Sequence, residues 1–293
     1  MKTGRNVFLV MLISAVLMLT ITPMTATPAF SVTPMLAGGN GHTLALKSDG
    51  TVWAWGSNEY GQLGNGLGGT ANNRSAPVQV KDENNVGYLS DVIALADGGD
   101  HSLALDRDGT VWAWGHNDYG QLGNNSIDRL PHSTPVRVKG KDGVGYLSGM
   151  KALVAAYDHS LVLASDGTVW AWGHNEYGEL GDGHTANQPT PVQMLDSSGQ
   201  IFTGVIALAG GEEHTLALAG DGKVWAWGFN MFGELGNGIS DFFSHPIPVQ
   251  ALSDVKTIAA GLFRSLALRD DGTVWGWGSN SGGQLGDGTI TGR

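Results

Sequence analysis

The sequence has no cysteine among its 293 residues, which excludes disulfides, thiolate metal sites, cysteine nucleophiles and lipid attachment at a Cys. Charge is also sparse, at 15% of residues, and the 16 basic side chains are outnumbered by 27 acidic ones. No Lys/Arg cluster offsets that balance, so the surface repels phosphate backbones and nucleic acid is a poor partner. Long apolar runs are missing apart from one, Val7 to Ile21, preceded by Lys2 and Arg5. A bilayer span needs about 20 apolar residues, and this run is shorter, at the upper end for a secretory core. Thr27 and Ala29 supply small residues for cleavage. Residues 1–29 are therefore read as a signal peptide, with an uncleaved anchor as the alternative, and 30–293 as a domain that is secreted or held at the cell surface. Cleavage leaves no stable membrane span. It also removes two basic residues and no acidic ones, so 14 basic face 27 acidic residues, a net −13 with His neutral.

What the chain has in excess is glycine, at 46, and tryptophan, at 10. Both belong to an internal repeat. His42-Thr-Leu-Ala-Leu46 is followed by Asp49-Gly50, Val52-Trp-Ala-Trp-Gly56, Asn58 and Gly61-Gln-Leu-Gly64. The string returns at His101, His159 and His214, and a fifth time at Arg264. The second Trp of each pair falls at 55, 114, 172, 227 and 277, spacings of 59, 58, 55 and 50. Repeat cores lie near 35–64, 92–123, 152–181, 205–236 and 257–286.

Each copy decodes into short strands, because alternate residues point to opposite faces: Leu44 and Leu46 to one, Trp53 and Trp55 to one. Asp49-Gly50 tolerates the positive φ of a hairpin turn. Val92–Ala96 and Pro77–Val80, with their counterparts, add two more strands. Four antiparallel strands every 50 to 60 residues, with no helical period after the leader, predict an all-β propeller of five repeats. The Trp pairs are expected to be inter-blade core, each able to bury about 150–250 Å².

These strings, His-Ser/Thr-Leu-Ala-Leu, Asp-Gly-Thr-Val-Trp-Ala-Trp-Gly and Gly-Gln-Leu-Gly, resemble the regulator of chromosome condensation repeat over nearly all of residues 34–293. The resemblance implies a propeller, usually of seven blades, that mixes strands from adjacent repeats. A fifth Pro-Val-Gln segment is missing, so the ring is expected to be incomplete or truncated. An open edge of such an arc offers a place where two copies can associate.

Motifs for chemistry are few. His42, His101, His159 and His214 could converge on a central channel as a metal ring, but no carboxylate second shell is singled out. They are expected to hydrogen-bond a neighbouring strand's backbone. Asp49, Asp108, Asp166, Asp221 and Asp271 each precede a turn Gly, which explains them as turn residues rather than general acids. Gly64-Asn-Gly66-Leu-Gly-Gly69 matches G-x-G-x-x-G without the helix that motif requires. No catalytic residue, cofactor site or metal site is assigned. Function is expected in the loops, where the copies differ. The fourth copy departs most: Phe229, Met231 and Phe232 replace smaller or polar residues and Tyr, and Phe242, Phe243 and His245 follow in its connecting loop. These six are the candidate protein-binding residues. The expected activity is that of an exported interaction scaffold for an unidentified protein. A glycan- or cell-wall-binding module and a β-lactamase-inhibitor-like protein are the alternatives; the second comes from a secreted relative in the resembled family, with no interaction surface matched here.

Overall fold

The computed structural model describes residues 31–293, so the proposed signal peptide lies outside the described residues. Five antiparallel sheets follow one another along the chain. The first blade is β1 (Met35–Gly38), β2 (His42–Leu46), β3 (Val52–Gly56) and β4 (Arg74–Gln79). The second is β5 (Val92–Asp97), β6 (His101–Asp106), β7 (Val111–Gly115) and β8 (His132–Arg137), and the third β9 (Met150–Ala155), β10 (His159–Ala164), β11 (Val169–Gly173) and β12 (Gln188–Gln193). The fourth is β13 (Val205–Gly210), β14 (His214–Ala219), β15 (Val224–Gly228) and β16 (His245–Leu252); the fifth has three strands, β17 (Val255–Gly261), β18 (Arg264–Arg269) and β19 (Val274–Gly278). Spatial order equals chain order in every sheet. Counted from each His (Arg264 in the last), the first strand of a blade is the tail of the preceding repeat, which is the strand mixing the resemblance implied.

The first strands β1, β5, β9, β13 and β17 pack against one another in turn, and their ends line a central cavity of about 260 Å³ that touches all five blades. A run of main-chain bonds crosses from blade to blade there: Asn40 N to Gly99 O, Gly99 N to Tyr157 O, Tyr157 N to Gly211 O, and Glu212 N to Leu262 O. The blades form an open arc, not a closed ring. At its last edge Val274 is 72% exposed, whereas its counterparts Val52, Val111, Val169 and Val224 are wholly buried.

Four repeated staples join the blades. The main-chain carbonyl of Gln62 accepts Trp114 Nε1–H at 2.8 Å and the Ser102 hydroxyl at 3.0 Å. Ser102 Oγ in turn lies 2.9 Å from His42 Nε2, whose N–H it accepts. The same set recurs with Gln121, Trp172, Ser160 and His101, with Glu179, Trp227, Thr215 and His159, and with Glu234, Trp277, Ser265 and His214. The histidines therefore bond a hydroxyl of the next blade, not its backbone as expected, and the hydroxyl relays to the carbonyl. Gly64 is required beneath this staple. Its φ is +60°, and a Cβ there would sit 2.9 Å from Trp114 Nε1, against the donor.

The Trp pairs are unequal. Trp114, Trp172 and Trp227 are completely buried and Trp277 nearly so, but the first Trp of each pair is only partly covered or, at Trp275, exposed. The first Trp sits next to the Asp-Gly hairpin, near the end of the strand. There Trp112 Nε1 donates to Asp106 Oδ2 at 3.0 Å, and the Arg137 guanidinium lies 5.9 Å from its ring centroid. Trp55 is in the first blade among the described residues and is only half-buried.

Candidate functional site at one end of the arc

Because the strands alternate in direction, the connections between first and second strands and between third and fourth strands emerge at the same end, here called the upper end. The longer of these loops is built on Asn58, Asn117, Asn175, Asn230 and Asn280, all buried. Asn58 Oδ1 accepts Leu63 N–H at 3.0 Å and its Nδ2 donates to Leu67 O at 2.8 Å. Its four counterparts make the same Leu bond. One buried amide thus ties both halves of each loop, which makes the upper end a fixed surface rather than a set of free chains.

On that frame an aromatic row runs around the arc. Tyr60 packs on His116 with centroids 4.5 Å apart, Tyr119 on His174 at 4.7 Å and Tyr177 on Phe229 at 4.7 Å. Phe263 closes it, 6.3 Å from Phe229 and 5.5 Å from Phe232. Each of the three Tyr contacts joins one blade's loop Tyr to the next blade's residue after Trp-Gly.

The six sequence candidates separate on this surface. Phe229 is buried, at 8% exposure, as a member of the row. Met231 and Phe232 are each 38% exposed and border a cleft with Phe263 and Ile290. Phe242 and Phe243 are 76% and 75% exposed. His245 is half-buried, with Nε2 2.9 Å from Asp241 Oδ1, and it holds the loop that displays the two Phe residues. Hydrogen bonding to His245 keeps the Asp241 carboxyl below its usual range.

Sequence reading passed over the acids beside the repeated His. Asp100, Asp158 and Glu213 immediately precede His101, His159 and His214. Gln62 Nε2 donates to Asp100 Oδ1 at 3.0 Å and Gln121 Nε2 to Asp158 Oδ1 at 3.1 Å. In the third blade Glu179 stands where these glutamines do and takes His174 Nδ1 at 2.8 Å instead. Burial opposes charge on His174, but Glu179 beside it overrides that and raises its pKa; Asp158 does the same for His116. Glu213 loses its amide partner, and burial, with Glu179 and Glu212 adding, lifts it to about 7. Burial likewise lifts Glu234 to about 7.

That last shift gives a test. Glu234 Oε1 is buried without a hydrogen-bond partner, and a buried unsatisfied polar group costs about 1–3 kcal/mol. A carboxyl raised in the fold destabilises it when ionised, so Glu234's contribution to stability is fully present below the ordinary value of 4.5 and is lost as pH rises through about 7. Glu234→Gln restores the amide found at Gln62 and Gln121. Urea melts should show it stabilised at pH 8 and unchanged at pH 5.

Among the described residues no group of three or more His, Asp or Glu is arranged to hold a metal. The upper end is an assembly of structural bonds with aromatic and acidic groups at its surface. The model of the RCC1-like domain matches residues 19–292. The chain belongs to that family. It is 31% identical over 223 residues to the ultraviolet-B receptor UVR8 of Arabidopsis thaliana, covering 76% of this chain and 47% of that protein. It is 34% identical over 221 residues to the E3 ubiquitin-protein ligase HERC2 of Homo sapiens, covering 75% of this chain and 4% of that protein. The RCC1-like chain thus spans half or less of these relatives' length. Human WBSCR16 superposes with a TM-score of 0.73 at 26% identity, over 89% of this chain and 65% of that one. Yeast RCC1 (Prp20), in its structure bound to Kap60, superposes with a TM-score of 0.60 at 23% identity over 88% of this chain and 72% of that one, a likeness of fold.

Proposed function

We propose that this chain is an exported, non-catalytic scaffold that binds a protein partner through the loops at the upper end of its arc. The observation that carries the reading is the pair Phe242 and Phe243, three-quarters exposed on a loop fixed by Asn230 and by the His245–Asp241 bond. Exposed aromatics on a rigid frame bury large area at low entropic cost when a partner covers them. The yeast relative is known in complex with a protein, Kap60, which supports a protein as the ligand class. The basic, apolar and small-residue order of residues 1–29 supports export. The repeated Asp, His and Asn side chains are engaged in turns, staples and loop ties, which supports a role without catalysis.

Changing Phe242 and Phe243 together to Ser tests the reading. Partner capture from a secreted-protein extract should fall about tenfold or more, as for loss of central aromatic anchors, while the urea midpoint stays within error. A double variant that folds and retains every partner contradicts it.

A further inference from the structure

The two ends of the arc differ in charge. The upper connections, residues 39–41, 57–73 and their counterparts through 279–293, carry 13 Asp and Glu against two Arg, Arg129 and Arg293, and no Lys. The opposite connections carry 12 acidic residues against six Lys and Arg. Of the two upper arginines, Arg129 Nε lies 3.3 Å from Asp118 and Arg293 Nε 2.8 Å from Asp287, so both are already engaged. The acidic end is also the end that carries the aromatic row, and Tyr60, Tyr119 and Tyr177 in it are half-buried with their rings against the next blade.

A second observation points outward from this cluster. Gln62 and Gln121 spend their side-chain amides on the rim acids Asp100 and Asp158. Glu234 holds the same place in the fourth blade: its Oε2 accepts Phe232 N–H at 2.9 Å, as Gln62 Oε1 accepts Tyr60 N–H. By that correspondence its other oxygen, Oε1, answers to the glutamine nitrogen that reaches the rim acid in the first blade. In the fifth blade Phe263 replaces that acid, and Oε1 has no partner although the residue is completely buried. An unpartnered carboxyl oxygen, beside aromatic rings and under a row of carboxylates, is complementary to a cationic donor, whose approach favours the ionised form that burial otherwise opposes.

We infer that the upper end receives a lysine- and arginine-rich segment of a protein partner, with its carboxylates pairing the cationic groups and its tyrosines stacking against them. This deepens the proposed scaffold function by naming the partner's chemistry. The surrounding carboxylates also raise Tyr60, after burial, and Tyr177, where Glu213 acts most strongly, which reports the same negative field. Such a field speeds encounter with a positive segment and weakens as salt is added.

The test uses a fluorescein-labelled octalysine peptide, its side-chain-acetylated form and octaglutamate, followed by anisotropy from 20 to 300 mM salt. Octalysine alone should bind, with affinity falling as salt rises. Replacing Glu59, Glu176 and Glu212 by Gln should weaken it about tenfold, since each rim charge contributes modestly and the three add. A matched variant with Glu83→Gln, Asp108→Asn and Asp270→Asn removes the same charge from the opposite end and should stay within about twofold. Equal weakening by the two triple variants, or binding of acetylated octalysine as tight as octalysine, overturns the inference. The peptide reports charge preference alone, so a natural partner captured through Phe242 and Phe243 while octalysine fails to bind would leave the scaffold reading standing and sink only this one.

Discussion

Trp114→Ala lowers stability by about 3–5 kcal/mol, the range for a buried aromatic truncated to Ala, while Trp55→Ala costs less than half as much. The two residues occupy equivalent places in adjacent blades. Trp114 is completely buried and its Nε1–H ends on Gln62 O; removing it opens a cavity and takes one of the two donors from that carbonyl. Trp55 lies at the open edge of the arc and is half-buried, and among the described residues no blade precedes it to supply a carbonyl. Urea unfolding of both variants, with m-values compared, measures the difference. Equal losses would mean that the edge is covered and the arc is not open in solution.

A second large effect is acid unfolding through the staple histidines. Burial drives His101 down to about 3 and His214 to about 4, and holds His159 well below its usual value. A His with depressed pKa stays neutral in the fold and takes up a proton on unfolding. Its contribution is therefore fully present above pH 6.5 and is lost as pH falls through 6.5 toward the folded value. His101 and His214 each cost about 3 kcal/mol by pH 4. Glu213 and Glu234 act with the opposite sign over the same interval, since both hold protons in the fold up to about 7. The effect is thus isolated by comparison: His101→Gln should reduce the pH slope of unfolding free energy between pH 4 and 6 by about 1.4 kcal/mol per unit, one proton's worth. An unchanged slope would show that His101 is hydrated and titrates freely.

The fold was legible because the repeat repeats its own punctuation. Asp-Gly turns, alternating Leu and Trp faces, and a missing fifth Pro-Val-Gln segment were enough to place every strand of the arc and to leave its last blade a strand short. The staples were harder to read. A His and the hydroxyl it meets are separated by 60 residues at His42 and Ser102, so the repeat pointed to a neighbouring strand but not to that hydroxyl, and the backbone was expected in its place. The two Trp of each pair looked equivalent in sequence because strand alternation gives the face but not the distance from the blade's end. At the upper end, comparing copies drew attention to the fourth and found its Phe residues, but Phe229 belongs to the packed row. The acids at Asp100, Asp158 and Glu213 escaped notice because each stands beside a repeated His and reads as part of the motif. Their meaning emerges only with the Gln or Glu that the preceding blade sends toward them.

Site-specific photocrosslinking tests most directly whether the upper end is the binding surface. p-Benzoylphenylalanine is placed at Tyr119, at Phe242 and, as the opposite-end control, at Asp108, and each protein is irradiated in the extract used for partner capture. The account predicts the same discrete adduct from Tyr119 and Phe242 and none from Asp108. Adducts from Asp108 with none from the other two positions would contradict it.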